Sequence, residues 1–196
     1  MRRMGPVQIA TFETPIGVCG LAWSARGLRG VHLPEGSEPA TLARLRRRFP
    51  GAEAAPPSAA AQKAIEGIVA LLGGAAVDLG DIGLDDVDIA PFERRVYAVA
   101  RAIGPGATLT YGEIAARIGE PDAARAVGQA LGSNPFAIVV PCHRVLAAGG
   151  RIGGFSAGGG ARTKRRILAI ERARVGDAPD LFADEPRPHP SPGLSA

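Results

Sequence analysis

The chain has 196 residues, 46% of them hydrophobic, two cysteines and a formal net charge of +4. That length supports one large domain or two small ones around a real core, and two distant cysteines exclude a disulfide scaffold. No apolar stretch is long enough to span a membrane, and no secretory apolar region follows the basic start Met1-Arg2-Arg3-Met4, so a cytoplasmic protein in a reducing compartment is expected.

The charge is uneven. Residues 1–90 carry nine Lys or Arg against ten Asp or Glu, residues 91–175 thirteen against five, and residues 176–196 one against four. A segment of net +8 is the electrostatic footprint of a nucleic-acid binder, although a solvated basic surface explains part of it. Arg162, Lys164, Arg165 and Arg166 read as the outer face of a helix.

In chain order, Val7 to Thr11, Val18 to Trp23 and Leu28 to Leu33 read as an antiparallel meander broken at Pro15-Ile16-Gly17 and Gly27. Cys19 lies mid-strand among apolar neighbours and reads as core. Thr41 to Phe49 is a short basic helix. Ser58 to Leu72 is a longer one, with Ile65, Ile68, Val69 and Leu72 at helical spacing and Gly73-Gly74 to stop it. Asp78, Asp81, Asp85, Asp86 and Asp88 follow. They lack the spacing and glycine of a calcium loop, so a solvated acidic connection is expected and no metal.

A second unit begins at Ala90-Pro91. Phe92, Val96, Val99, Ala100 and Ile103 line one helix face, and Gly104-Pro105-Gly106 ends it. Thr110 and Glu113 form a capping box for a short helix with Ile114 and Ile118 inward. After Gly119-Glu120-Pro121, Asp122 is expected to cap a third helix, Ala123 to about Gly132. This pair is a helix-turn-helix. Its second helix offers Arg125, Gln129 and Ser133 among alanines and glycines. A major-groove reader needs several long polar side chains. Small residues with one long cation fit close, shape-driven docking better.

The chemistry is expected in the next stretch. An apolar run of strand character from Phe136 ends at Pro141, and Cys142, His143 and Arg144 follow at once. A thiol at a strand end, beside a titratable ring and a cation, is placed to react as thiolate. Alternating side chains on a strand would point Cys142 and His143 apart, so a bent backbone or a bridging water is required. Asn134, before Pro135, is a turn residue able to bond the backbone. The bland alternative is a buried structural cysteine. A glycine-rich loop, residues 147–160, then precedes a last helix from Arg162 to about Arg174. Residues 176–196 are rich in proline and acidic residues and read as a disordered tail. The expected division is residues 1–88, 89–175 and the tail.

Pro141-Cys142-His143-Arg144-Val145 resembles the signature of the O6-alkylguanine-DNA alkyltransferases. It follows Tyr111-Gly112-Glu113, Ala124-Arg125-Ala126-Val127-Gly128 and Ser133-Asn134-Pro135 and precedes Gly153-Gly154-Phe155-Ser156 in that family's order. The likeness is dense from Phe92 to Glu171 and faint before residue 85. It implies an α/β N-terminal domain (ribonuclease-H-like, antiparallel strands plus helices), then a mainly helical C-terminal domain with a winged-helix-like helix-turn-helix. It also implies irreversible transfer of an alkyl group from guanine O6 in DNA, and from thymine O4 in some cases, to Cys142, once per molecule and with no cofactor.

In that reading His143 takes the thiol proton through a water, Glu171 orients the histidine, and Asn134 ties the helix-turn-helix to the reactive loop. Tyr111, Val145, Phe155 and Ser156 receive the flipped base. Arg125, with Ala124, Gly128, Gln129 and Arg144, meets the DNA. The implied partner is double-stranded DNA bound through the minor groove with little sequence preference, by a monomer. Phe155 stands where the family often has tyrosine, and Ala157 where glycine is frequent. No four-cysteine zinc module precedes the domain, as a transcription-activating member would have. The rival readings are a non-catalytic alkylated-DNA recognition protein, in which tryptophan would replace Cys142, a transcription factor, which needs a richer reading helix, and a cysteine hydrolase, which would leave the basic segment unexplained.

Overall fold

The computed structural model describes residues 6–173 and 175; the expected tail lies outside them. The meander forms as strands β1 (Gln8–Phe12), β2 (Cys19–Ser24) and β3 (Gly27–His32), each antiparallel to the next. Helix α1 (Glu38–Arg48) follows, then a short β4 (Glu53–Ala54) that pairs parallel to β1, giving the order β3-β2-β1-β4. The sheet is therefore mixed, because a helix intervenes before the fourth strand and returns the chain in the same direction.

Alternation along β2 sends Cys19, Leu21 and Trp23 to one face and Gly20 and Ala22 to the other. On the second face α1 seats Leu45 against Ile9 and Ala22. It comes so close that a Cβ on Gly20 would lie 2.5 Å from Leu45 Cδ1. On the first face lies the main core, shared with helix α2 (Ala59–Leu72), capped by Ser58, and with α3 (Pro91–Arg101). The acidic connection between these helices is not solvated throughout. Asp85 is 7% exposed, accepts from Ser24 Oγ at 2.6 Å and lies 3.4 Å from Arg26 and 3.7 Å from Arg29. Its chain is pinned to β3 by backbone bonds to Leu28, which carries the carboxylate inward.

The C-terminal part is helical: α4 (Tyr111–Arg117), α5 (Ala124–Gly132) and α6 (Gly160–Ile170), with two-residue strands β5 (Leu109–Thr110) and β6 (Val145–Leu146) paired in parallel. The Thr110 capping box forms: Thr110 N–H donates to Glu113 Oε2 at 2.6 Å and Glu113 N–H to Thr110 Oγ1 at 3.2 Å. Asp122 does not cap α5. Pro121–Ala123 closes a separate 3₁₀ turn, because Pro121 favours a tight turn start, and the α5 cap residue is Ala123 without a side-chain bond.

The two parts meet at the edge of the mixed sheet. Val31 N–H on the outer edge of β3 donates to Pro135 O at 2.8 Å, and Val31 bridges Phe136. The N-terminal sheet thus holds the loop that leads to Cys142. From the other side Tyr97 of α3 donates to Ala130 O at 2.9 Å and meets the Phe136 ring edge-on, centroids 6.4 Å apart.

Candidate active site

The run from Phe136 to Val140 is not a strand. Prolines at 135 and 141 remove donors at both ends, and Asn134 closes the segment on itself. Asn134 Oδ1 accepts from Phe136 N–H and its Nδ2 donates to Val140 O, both at 2.9 Å. Only isolated bridges form, and Ile138 takes φ 71, a left-handed conformation that costs a β-branched residue about 1–2 kcal/mol. The apolar character of the run reflects burial, since all five residues lie within the core. Burial without a ladder is what periodicity alone does not distinguish.

The tight turn delivers Cys142 into a single 3₁₀ turn, Cys142–Arg144. Successive side chains there fan out by about a third of a turn. Cys142 faces a cavity, while His143 and Arg144 go inside. His143 is fully buried; its Nε2 lies 3.0 Å from Glu171 Oε1 and its Nδ1 is buried without a hydrogen-bond partner among the described residues.

Arg144, expected at the DNA, is 5% exposed and unavailable to it. Its Nε and Nη2 donate to the two oxygens of Glu171 at 2.9 and 2.7 Å, and Nη1 donates to Ile103 O. A bidentate pair inside the protein needs every donor satisfied, and this is the arrangement that turns Arg144 inward. Glu171 sits at the C-cap of α6 with its side chain 1% exposed. Burial alone would raise its carboxyl, but hydrogen bonds from His143 and Arg144 outweigh that and bring it down to about 2.

The thiol and imidazole are both neutral at rest. Burial pushes the Cys142 thiol above its ordinary value, opposed by the Asn134 amide, the Lys164 charge and nearby backbone N–H groups. Burial pushes His143 below its ordinary value, opposed by Glu171. A proton relay starting from neutral groups avoids a standing buried ion pair.

Lys164 is the residue that sequence reasoning missed. Expected on an outer helix face, it is fully buried, donates to Val145 O and stands 5.9 Å from the centre of the Tyr111 ring. Burial lowers its affinity for the proton and a thiolate at Cys142 would raise it. A signal was present: Lys164, Ile167, Leu168 and Glu171 fall at i, i+3, i+4 and i+7, one stripe of one helix.

Of the expected base-contacting residues, Phe155 and Ser156 line a cavity of about 360 Å³ together with Cys142, Asn134, Leu131 and Gly132. Val145 does not line it; its side chain is fully buried, because β6 pairs with β5 and its carbonyl is taken by Lys164. Tyr111 stands beside the cavity rather than on its wall. A Cβ at Gly153 would come 3.2 Å from the Tyr111 hydroxyl, so the glycine makes room for that ring. Arg125 and Gln129 are exposed on α5, with Ala124 and Gly128 half-buried between them. Cys19 is core as expected: it is 0% exposed and its thiol is pushed up to about 12 by burial, only partly offset by Thr14 at 3.8 Å.

Residues 91–173 match the family described as 6-O-methylguanine DNA methyltransferase, DNA binding domain. A methylated-DNA–protein-cysteine methyltransferase of Mycolicibacterium paratuberculosis is 44% identical over 124 residues, 61% of this chain and 73% of that protein. The chain belongs to this family. The protein of that name from Mycobacterium bovis is 51% identical over 84 residues, 43% of this chain and half of that one. The crystal structure of Mycobacterium tuberculosis OGT in complex with DNA superposes with a TM-score of 0.69 at 34% identity, covering 87% of this chain and 96% of that one. The likeness of this fold to the methyltransferase thus extends across both the mixed sheet and the helical part. No helix among the described residues is long and apolar enough to cross a membrane.

Proposed function

We propose that Cys142 is the acceptor of the alkyl group and that His143, Glu171 and Asn134 make it one. The protein is a DNA-repair methyltransferase of the methylated-DNA–protein-cysteine type, and DNA is its partner. In the proposed step the Cys142 sulfur attacks the alkyl carbon on guanine O6. A C–S bond forms, the C–O6 bond breaks, and its electron pair leaves on O6 with a proton supplied from the Tyr111 side. The thiol proton passes to His143 Nδ1 through one bridging water. That ring atom is open because Nε2 is held by Glu171. Glu171 stabilises the imidazolium that forms, and Lys164 stabilises the thiolate. Nothing among these groups can cleave the thioether, so each molecule reacts once.

The observation that carries the reading is the buried His143–Glu171–Arg144 network behind a thiol that opens on a base-sized cavity. O6 is hidden in the base stack, so the nucleotide must be extruded. We assign Arg125 to the vacated space and Ala124, Gly128 and Gln129 to a close approach in the minor groove. O4-alkylthymine is a secondary substrate on the same grounds. We further read the mixed sheet as ribonuclease-H-like, the helix-turn-helix as winged-helix-like, the division near residue 88 as a domain boundary, and the protein as a cytoplasmic monomer. The test is intact-protein mass spectrometry with peptide mapping after incubation with a duplex containing O6-methylguanine. One methyl on Cys142, saturating at one per protein, is expected. Tight binding without an adduct would overturn the assignment of Cys142.

A further inference from the structure

The end of α5 belongs to the reactive site twice over. Leu131, Gly132, Ser133 and Asn134 line the cavity in front of Cys142, and Asn134 closes the turn that runs from Phe136 to Val140. The backbone there leaves one carbonyl without a backbone donor. In a continuing helix Ala130 O would accept from Asn134 N–H. The chain turns at Ser133-Asn134-Pro135 instead: Ser133 N–H donates to Gln129 O at 3.1 Å and Asn134 N–H to Leu131 O at 3.4 Å. Ala130 is buried, and an unpaired carbonyl in such a place is costly. Tyr97 supplies the missing donor. Its hydroxyl reaches across from α3 and donates to Ala130 O at 2.9 Å.

Tyr97 also holds the far side of the same turn. Phe136, whose N–H donates to Asn134 Oδ1, meets the Tyr97 ring edge-on. One side chain thus fixes the chain both before and after Asn134. A phenylalanine would fill the same space in the core, so the hydroxyl is the informative atom. Burial pushes it up to about 12, and it therefore keeps its proton and acts as a donor. Ser133 Oγ is the second candidate donor to Ala130 O, at 3.0 Å, but its single proton has a competing acceptor in Glu93 Oε1 at 3.2 Å. Tyr97 is itself buried and does not line the cavity. Whatever it contributes to the reaction reaches the sulfur through its neighbours.

We infer that Tyr97 is a positioning residue for alkyl transfer: by holding Ala130 O and the Phe136 ring it fixes Asn134, and through Asn134 it prepares the Cys142 sulfur. The inference rests on Cys142 being the acceptor. Asn134 is the link because its amide favours the thiolate of Cys142, while its hydrogen bonds tie it to Phe136 and Val140. An amide stabilises a developing charge best when its direction is set before the charge forms, and a small shift of the turn would lose that aim. The other groups facing the sulfur are Lys164 of α6, Tyr111 of α4 and the adjoining His143, with His32, Glu35, Arg44, Arg47 and Arg48 across the cavity. Among the described residues none of these is hydrogen-bonded to the Tyr97 hydroxyl, so removing that hydroxyl leaves them in place.

The test is Tyr97→Phe, which keeps the ring and removes the hydroxyl, beside Tyr97→Leu, which removes both holds, with thermal melts to verify folding. Three quantities are read: the single-turnover rate with a duplex containing O6-methylguanine, the rate with free O6-benzylguanine, and the pH dependence of Cys142 alkylation by iodoacetamide, followed by peptide mapping. Tyr97→Phe is expected to slow both transfers about tenfold, within the range for a small displacement of a reacting group, with duplex affinity unchanged. The midpoint of its iodoacetamide profile is expected to rise by about one pH unit, the change that makes the thiolate fraction tenfold smaller at a given pH. Tyr97→Leu is expected to move all three in the same directions and further. Unchanged rates, or slowed rates with the wild-type midpoint, overturn the inference, because the hydroxyl would then serve the core and not the sulfur. Slowing with the duplex alone also overturns it and would assign Tyr97 to DNA docking. Absence of methyl transfer in the wild type, with iodoacetamide still labelling Cys142, would instead overturn the acceptor reading beneath it.

Discussion

The two cysteines of this chain occupy regions that treat the same side chain in opposite ways. Cys19 sits in β2 within the apolar core that the sheet shares with α2, and among the described residues its side-chain hydrogen-bond partner is the Thr14 hydroxyl. Its thiol is pushed up to about 12 and has nowhere to give a proton. Cys142 is also desolvated, yet it has Asn134, Lys164 and two backbone N–H groups acting on its thiolate, a buried imidazole next in sequence, and a cavity in front. Burial alone makes a cysteine inert. Burial with donors prepared for the charge that will form makes it a nucleophile whose charge is not dispersed by water.

Substitutions at the two cysteines test this difference most strongly. Cys142→Ala is expected to abolish alkyl transfer while leaving duplex binding largely intact. Cys19→Ala is expected to leave the transfer rate unchanged and to lower stability by about 1 kcal/mol, the range for trimming one small buried group. Single-turnover kinetics, DNA titration and denaturant melts read all three quantities. Loss of transfer in Cys19→Ala with an intact fold would break the contrast.

The relay behind Cys142 supplies the next largest effect. Glu171→Gln removes the charge that orients and stabilises His143, and is expected to slow transfer roughly a hundredfold or more, as for loss of a positioned acid–base partner. It also changes the acid limb of stability. The folded carboxyl titrates at about 2, below its ordinary 4.5. The ionised group therefore stabilises the fold above about 4.5, and this contribution is lost as the pH falls from there towards 2. The wild type should lose on the order of 3 kcal/mol across that window from this group, and Glu171→Gln should show a flatter profile. A wild-type profile identical to the variant's would show that Glu171 is not held charged by its partners.

A smaller, more selective effect is expected at the DNA-facing surface. Arg125→Ala should slow repair in duplex DNA about tenfold while leaving reaction with free O6-benzylguanine nearly unchanged, because the free base needs no extrusion. Equal slowing of both would remove Arg125 from the role of filling the space left by the nucleotide.

Much of this molecule was legible in its residues. Local signals placed the meander, the helix ending at Gly73-Gly74, the Thr110 cap, the core role of Cys19 and the turn role of Asn134, because each depends on groups within a few positions of one another. The motif around Cys142 and its neighbours in order pointed to the reaction for the same reason: chemistry needs particular residue types at close spacing.

What the sequence did not determine are the directions of side chains whose partners are distant along the chain. Arg144 read as a cation for DNA until the fold placed Glu171, 27 residues away, against it. Lys164 read as surface until α6 packed its stripe under Tyr111 and the Val145 carbonyl. Phe136 to Val140 read as strand because burial on both sides gives the same apolar run whether or not a ladder forms. The arginines of α1 belonged to a stretch that read only as a short basic helix until the edge of β3 carried the reactive loop, and with it Cys142, to the cavity they line. A charge is assigned to water, to a partner or to a substrate only when packing decides what remains next to it, and that is settled by contacts the linear order does not contain.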